Sequence, residues 1–201
     1  MHENSSLSSS IAMPLEGAGD TMSDDTALAL RALTDPAAFG MLYDRYLDRM
    51  YAYLRARTSS AEDAADLTQQ VFLRAFDALD QYRPRRASFA TWLFRIARNT
   101  ATDAYRRQKS AVAWDFLPAA LQPIAGDDPE ASALRQETRD RLRLVLGACD
   151  ARTREVLALR YGADLSVAEI AAIVGKSEAA VKKQLTRALR ALKERYNNEK
   201  P

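Results

Sequence analysis

From Ala37 onward the apolar residues Phe39, Leu42, Tyr43, Tyr46, Leu47, Met50, Tyr51 and Leu54 recur at intervals of three and four. That spacing lines one face of an α-helix and does not fit the two-residue alternation of a half-buried strand. The same period governs every other ordered stretch. Ala64, Leu67, Val71, Ala75 and Leu79 form a second stripe, and Phe89, Trp92, Leu93, Ile96, Ala97, Ala101 and Ala104 a third. A later stripe runs through Leu142, Val145, Leu146 and Cys149, the next helix holds Val156, Leu157, Leu159 and Tyr161, and a last stripe runs through Val181, Leu185, Ala188 and Leu192. No segment alternates, so the chain is predicted to be all-α, built from amphipathic helices that bury their faces on one another.

Caps and breakers divide it. A short helix is predicted over 24–33. Asp35 followed by Pro36 marks the start of the long helix ending near Thr58, since Asp caps and Pro fits the first helical position. Ser60-Ala61-Glu62-Asp63 opens a helix predicted to reach Gln81. Pro84 and three arginines then make a loop, and Ser88 caps the next helix. Pro118, Pro123, Gly126 and Pro129 interrupt an acidic, weakly periodic segment, which predicts a flexible linker between two small helical domains. The expected layout is a disordered acidic tail (1–24), a helical domain (25–109), the linker (110–133), a second helical domain (134–196) and a short end (197–201).

In the second domain Asp150 caps a helix that Gly162 ends. Ser166 and Glu169 form a capping box for a short helix over 167–174. Gly175-Lys176-Ser177 is a tight turn, and Ser177 caps a last helix over 178–196. Helix, glycine turn and basic second helix fit a helix-turn-helix unit whose second helix enters the major groove. Lys182, Lys183, Gln184, Thr186 and Arg187 lie off its apolar stripe, where side chains reach phosphates and base edges.

A net charge of +2 hides strong segregation. Residues 1–30 contain no Lys or Arg, whereas 83–109 carry eight basic residues against Asp103 alone. Cations with interleaved rings suit single-stranded or opening nucleic acid. Helical spacing claims Phe89, Trp92, Leu93 and Ile96 for the core, which leaves Phe94 and Tyr105 as the aromatics expected to meet DNA. On the preceding helix Asp66, Gln69, Gln70, Leu73 and Asp77 share the outer face, a solvated surface or a docking face for a partner.

Other classes are disfavoured. Cys149 is the only cysteine, so no internal disulfide forms, and its place on an apolar stripe predicts an inert buried thiol. His2 is the only histidine, which leaves too few soft ligands for a zinc site. There is no glycine-rich phosphate loop and no carboxylate pair near an apolar pocket pattern, hence no catalytic residue and no cofactor is expected. No apolar run approaches the ~20 residues of a membrane span, and no signal-peptide pattern is present. A cytoplasmic protein without membrane insertion is expected.

Two motifs then stand in one chain. The first is Asp66-Leu67-Thr68-Gln69-Gln70-Val71-Phe72-Leu73-Arg74-Ala75-Phe76, followed by Phe89-Ala90-Thr91-Trp92-Leu93-Phe94-Arg95-Ile96-Ala97-Arg98-Asn99 and Asp103. The second is Arg154-Glu155-Val156-Leu157, then Leu165-Ser166, Glu169-Ile170-Ala171, Gly175-Lys176-Ser177 and Ala180-Val181-Lys182. In this order they resemble the extracytoplasmic-function sigma factors of the bacterial sigma-70 family, over about residues 27–195. The resemblance implies a non-enzymatic subunit that binds core RNA polymerase and directs it to promoter DNA. It implies polymerase contacts at Asp66, Gln69, Gln70 and Leu73, where Gln70 replaces the family's usual glutamate and removes a charge. It implies −10 element contacts at Arg83, Arg85, Arg86, Ser88, Arg95, Arg98, Asn99 and Arg106. For the −35 element it implies Ser177, Lys182, Lys183, Gln184, Thr186 and Arg187. An anti-sigma factor is the further partner implied. The competing reading is a conventional helix-turn-helix regulator whose first domain only dimerises or senses a signal.

Overall fold

The computed structural model describes residues 18–58, 60–109 and 149–198, with side chains over 24–58, 60–106 and 149–194. The helix expected from Leu134, the acidic segment after Lys109 and the tail before Ala18 lie outside the described residues. Within them every element is helical. The order is α1 (Ala18–Arg31), α2 (Pro36–Arg55), α3 (Ala61–Asp77), a 3₁₀ turn (Leu79–Gln81) and α4 (Phe89–Lys109). After the gap come α5 (Ala151–Leu157) running into a π turn (Ala158–Gly162), then α6 (Val167–Val174) and α7 (Glu178–Asn198).

The predicted caps form. Asp35 accepts from the Ala37 N–H at 3.1 Å, with Pro36 at the first turn of α2. Ser60 accepts from the Asp63 N–H at 2.9 Å, and Glu62 and Asp63 face the positive end of α3. Ser88 accepts from the Thr91 N–H at 3.1 Å. Ser166 and Glu169 complete the capping box of α6, and Gly175 ends that helix in the left-handed region at φ 71°.

Three expectations shift. The first helix begins at Ala18, six positions before residue 24, inside the stretch expected to be tail. Its anchor is Asp25, buried beneath α2, which accepts from the Tyr46 hydroxyl and from Arg45. A buried carboxylate needs such partners, and here they tie α1 to α2. Next, α3 stops at Asp77, because Ala78 leaves helical geometry and Tyr82 turns inward onto Phe89 and Trp92, with ring centroids 5.6 and 5.4 Å away.

The third shift concerns α4. At about 100° per residue, Phe94 lies about 140° from Phe89 on the helical wheel. The inward arc is centred between them, on Leu93, Ala97, Ala90 and Ala101, all buried. Phe94 is therefore fully buried, 5.6 Å from the Tyr53 ring and 6.5 Å from that of Tyr46. Trp92 and Ile96 fall at the arc's other edge and are half-buried. Phe94 is thus a core residue and not a ring free to meet DNA; Tyr105 does remain exposed.

The C-terminal helices pack as the stripes require, with Val181, Leu185 and Ala188 of α7 against Ile170 and Ile173 of α6. Tyr161, on the π turn, is exposed. Cys149 is half-buried.

Candidate nucleic-acid interface

Three surfaces carry the predicted residues. On α3 the buried stripe of Ala64, Leu67, Val71 and Ala75 turns Asp66, Gln69, Gln70 and Leu73 to solvent. Leu73 is 64% exposed, and Phe76, one turn on, is also exposed while its ring meets Phe39 edge-on at 5.0 Å. Phe76 was not among the expected contacts; an aromatic beside an exposed leucine, on the flank of a polar face, is its signal in the sequence.

The second surface is the loop before α4 and the outer side of that helix. Arg85 and Arg86 are exposed. Arg83 is exposed too, but its guanidinium donates to the Asp80 and Tyr82 carbonyls and so braces the turn. Asn99 and Arg106 face outward on α4. Ser88, Arg95 and Arg98 are brought together by a different neighbour, the second half of the chain. The Ser88 hydroxyl donates to Glu169 at 2.9 Å, Arg95 donates to the Ala172 carbonyl at 2.8 Å, and Arg98 donates to Glu155 at 3.1 Å.

The same contact zone includes Arg49 of α2 and Arg57, two residues past the end of that helix, which the sequence reading missed. Arg57 donates to Glu155 at 2.6 Å. Arg49 donates to the carbonyls of Ala163 and Asp164 at 2.7 and 3.2 Å. Each guanidinium lies over a tyrosine, Arg49 on Tyr46 at 5.0 Å and Arg57 on Tyr53 at 5.4 Å, a cation–π stacking that holds the fork in place. Burial pushes the Tyr53 hydroxyl up to about 12, so that ring stays neutral beneath the cation. Their signal was present: each arginine follows an inward tyrosine of α2 by three or four positions.

The third surface is α7. Lys182, Lys183, Thr186 and Arg187 are exposed along one side. Ser177 accepts from the Ala180 N–H at 3.3 Å and so spends its oxygen on the cap. Gln184 is half-buried, accepting from Lys176 at 2.8 Å and reaching Thr153 at 3.5 Å, which couples α7 to the glycine turn and to α5. Thr186 donates to the Lys182 carbonyl of its own helix at 3.0 Å.

Among the described residues no group of three or more His, Cys, Asp or Glu is placed to hold a metal, and no helix is long and apolar enough to cross a membrane.

Residues 42–111 match the family model for sigma-70 region 2, and residues 145–194 that for sigma-70 region 4. The chain is 32% identical over 157 residues to the ECF RNA polymerase sigma factor SigM of Bacillus subtilis, covering 78% of this chain and 93% of that protein. This chain is an extracytoplasmic-function sigma factor of the sigma-70 family. It is 33% identical over 158 residues to the ECF RNA polymerase sigma factor BldN of Streptomyces coelicolor, a match that spans 77% of this chain and 59% of BldN. Among solved structures it is similar to CnrH in complex with the cytosolic domain of CnrY, at 27% identity and a TM-score of 0.65, covering 88% of this chain and 99% of that one. Region 2 thus spans most of α2 through α4, region 4 contains α5, α6 and most of α7, and the protein is an initiation factor rather than an enzyme or a conventional regulator.

Proposed function

We propose that this sigma factor docks on core RNA polymerase through the outer face of α3 and carries the polymerase to promoters that it reads at two places. The observation that carries the docking assignment is the exposed Leu73 set among Asp66, Gln69 and Gln70. An apolar side chain ringed by polar groups on a convex helix offers a partner both burial and register. Gln70 keeps hydrogen-bonding capacity but brings no charge to that contact.

Reading of the −10 element belongs to the loop Arg83–Ser88 with Arg95, Arg98, Asn99 and Arg106. Extruding a base costs a few kcal/mol, which a basic face with hydrogen-bonding groups offsets. Reading of the −35 element belongs to α7, through Lys182, Lys183 and Arg187 on phosphates, with Gln184 and Thr186 nearest the base edges. Ser177 orients the helix start. The working units are residues 25–109 and 134–196 joined by 110–133, and the place of work is the cytoplasm, beside the polymerase. CnrH is in complex with the cytosolic domain of CnrY; a protein of the anti-sigma class is proposed as the corresponding partner here.

The deciding experiment mixes the full chain with core polymerase and genomic promoter fragments. A salt-resistant complex and specific run-off transcripts are expected. Failure to form any stable complex with core would overturn the proposal.

A further inference from the structure

A hydrogen-bond chain within region 4 begins on its glycine turn. The Lys176 ammonium donates to the Gln184 side-chain oxygen at 2.8 Å. The Gln184 amide nitrogen reaches the Thr153 hydroxyl oxygen at 3.5 Å, and that hydroxyl donates to the Asp150 carboxylate at 2.7 Å. Its sense is fixed at both ends, because an ammonium only donates and an ionised carboxylate only accepts. Asp150 is held in its ionised form, since the Thr153 hydroxyl is the first cause that keeps its carboxyl pKa below the ordinary value. The Gln184 oxygen therefore faces Lys176, and its nitrogen faces α5.

The buried arc of α7, made by Val181, Leu185 and Ala188, leaves Gln184 about 70° from its centre. Exposed Arg187 lies about 60° further round, and exposed Lys183 about 40° beyond that. Gln184 thus stands at the border between the core and the basic side of α7, and it draws the Lys176 side chain along that border. Lys176 is exposed, and with one N–H of its ammonium on Gln184 it keeps two. In a helix-turn-helix the part of the unit before the reading helix crosses the DNA backbone. A cation on the turn, held against the basic side of that helix, meets the backbone at the rim of the groove.

We infer that Lys176 is a further phosphate-binding residue of the −35 reader, and that Gln184 is a positioning residue that holds it in place. The inference rests on the assignment of α7 to the −35 element. A lysine loses rotamer freedom when it meets a phosphate, and one already tethered loses less, so the tether raises affinity without adding a contact to DNA. It also limits what Gln184 offers a base. Glutamine pairs with adenine by presenting its oxygen and nitrogen together. Here Lys176 holds the oxygen, which leaves Gln184 a single N–H for a base edge.

The test uses the full chain and a fluorescent pool of random-sequence duplexes, with anisotropy read from low to moderate salt. In such a pool base-edge contacts average out, whereas phosphate contacts count in full. Lys176→Ala should lower the salt slope by about 0.9, the loss of one duplex phosphate contact. Gln184→Met, of similar length and without the amide, should weaken binding about 2- to 10-fold and leave the slope unchanged. Added to Lys176→Ala, the same change should cost no more than about twofold, because nothing is left to position. An unchanged slope for Lys176→Ala would overturn the phosphate contact, and equal losses from Gln184→Met in both backgrounds would overturn the positioning role. A second measurement needs no substitution: carbon-13 relaxation at the lysine ε-carbons should show Lys176 more ordered than Lys182 and Lys183 on the picosecond-to-nanosecond scale. Equal mobility would remove the tether, and this measurement decides if a variant loses its helicity. If Lys182→Ala with Lys183→Ala also left the slope unchanged, the assignment of α7 to duplex DNA would fall; a drop there, with none for Lys176→Ala, sinks only the present inference.

Discussion

Truncating Leu73 separates docking from folding within a single helix. Full burial of a leucine side chain is worth about 1.5–3 kcal/mol. Leu73 is 64% exposed, so a partner that covers it gains about two-thirds of that, or about 1–2 kcal/mol. Leu73→Ala should therefore weaken core polymerase binding about 5- to 30-fold. Folding loses little, because the removed atoms already face water; surface changes of this kind stay within about 0.5 kcal/mol. Leu67, two turns earlier on the opposite face, is 7% exposed. Its truncation should cost about 2–5 kcal/mol of stability, a fall of roughly 5–15 °C in Tm for a chain of this size. The assay is competition between labelled parent chain and unlabelled variant for core polymerase, with a thermal melt on each. Equal losses of Tm for the two variants would place Leu73 in the core, and unchanged core affinity for Leu73→Ala would remove it from the docking face.

Lys182→Ala with Lys183→Ala should lower the salt slope of duplex binding by about two, since each phosphate contact on duplex DNA contributes about 0.9; an unchanged slope in filter binding from low to moderate salt would free both from the interface. Asp150 caps α5, and its carboxyl pKa is held below the ordinary value of 3.8, first by the Thr153 hydroxyl and then by the Thr153 N–H. A depressed carboxyl contributes stability that is complete above that ordinary value and is lost as pH falls through the folded pKa. Asp150→Ala should thus cost about 1 kcal/mol near neutrality, by urea unfolding, and the gap to the parent chain should close as pH drops below the ordinary carboxylate range. A gap independent of pH would show that the charge contributes nothing. Phe94→Ala should cost about 3–5 kcal/mol in stability, while Tyr105→Ala should leave the melt near that of the parent. The reverse order would restore Phe94 to the surface.

The helices were legible because each stripe, cap and breaker agrees with the others. Asp35-Pro36, Ser60, Ser88, Asp150 and the Ser166–Glu169 box all cap the helices read from them. Periodicity located the faces but not the width or the centre of each buried arc. On α4 the stripe already held Leu93, Ala97 and Ala101, the middle of the buried arc, but stopped about 20° short of Phe94. What covers a helix is a tertiary fact, and Phe94 is buried because Tyr46 and Tyr53 stand opposite it. The π turn is a related case: the helix was read through to Gly162, and nothing in the residue types of Ala158–Gly162 announces its change of pitch.

The predicted site shows where reading by composition stops. An arginine in a basic stretch announces a need for anions without saying which anion meets it. For Arg98 the nearest answer is Glu155, 57 positions away, and for Ser88 it is Glu169, 81 positions away. Glu169 already had a complete local role in its capping box, so nothing in the sequence asked for a second partner; its two carboxylate oxygens serve both, Oε2 to Ser166 and Oε1 to Ser88. Glu155 did leave a trace. It directly precedes the buried run Val156–Leu159, and an acid at the edge of so apolar a run, on a helix of seven residues, has little water to turn to. In the structure its carboxylate meets Arg57 and Arg98 of the first half of the chain, the second of them inside the basic block 83–109. The alternation of acidic and basic segments along this chain therefore describes more than a match to DNA: the complementary charges also meet within the molecule.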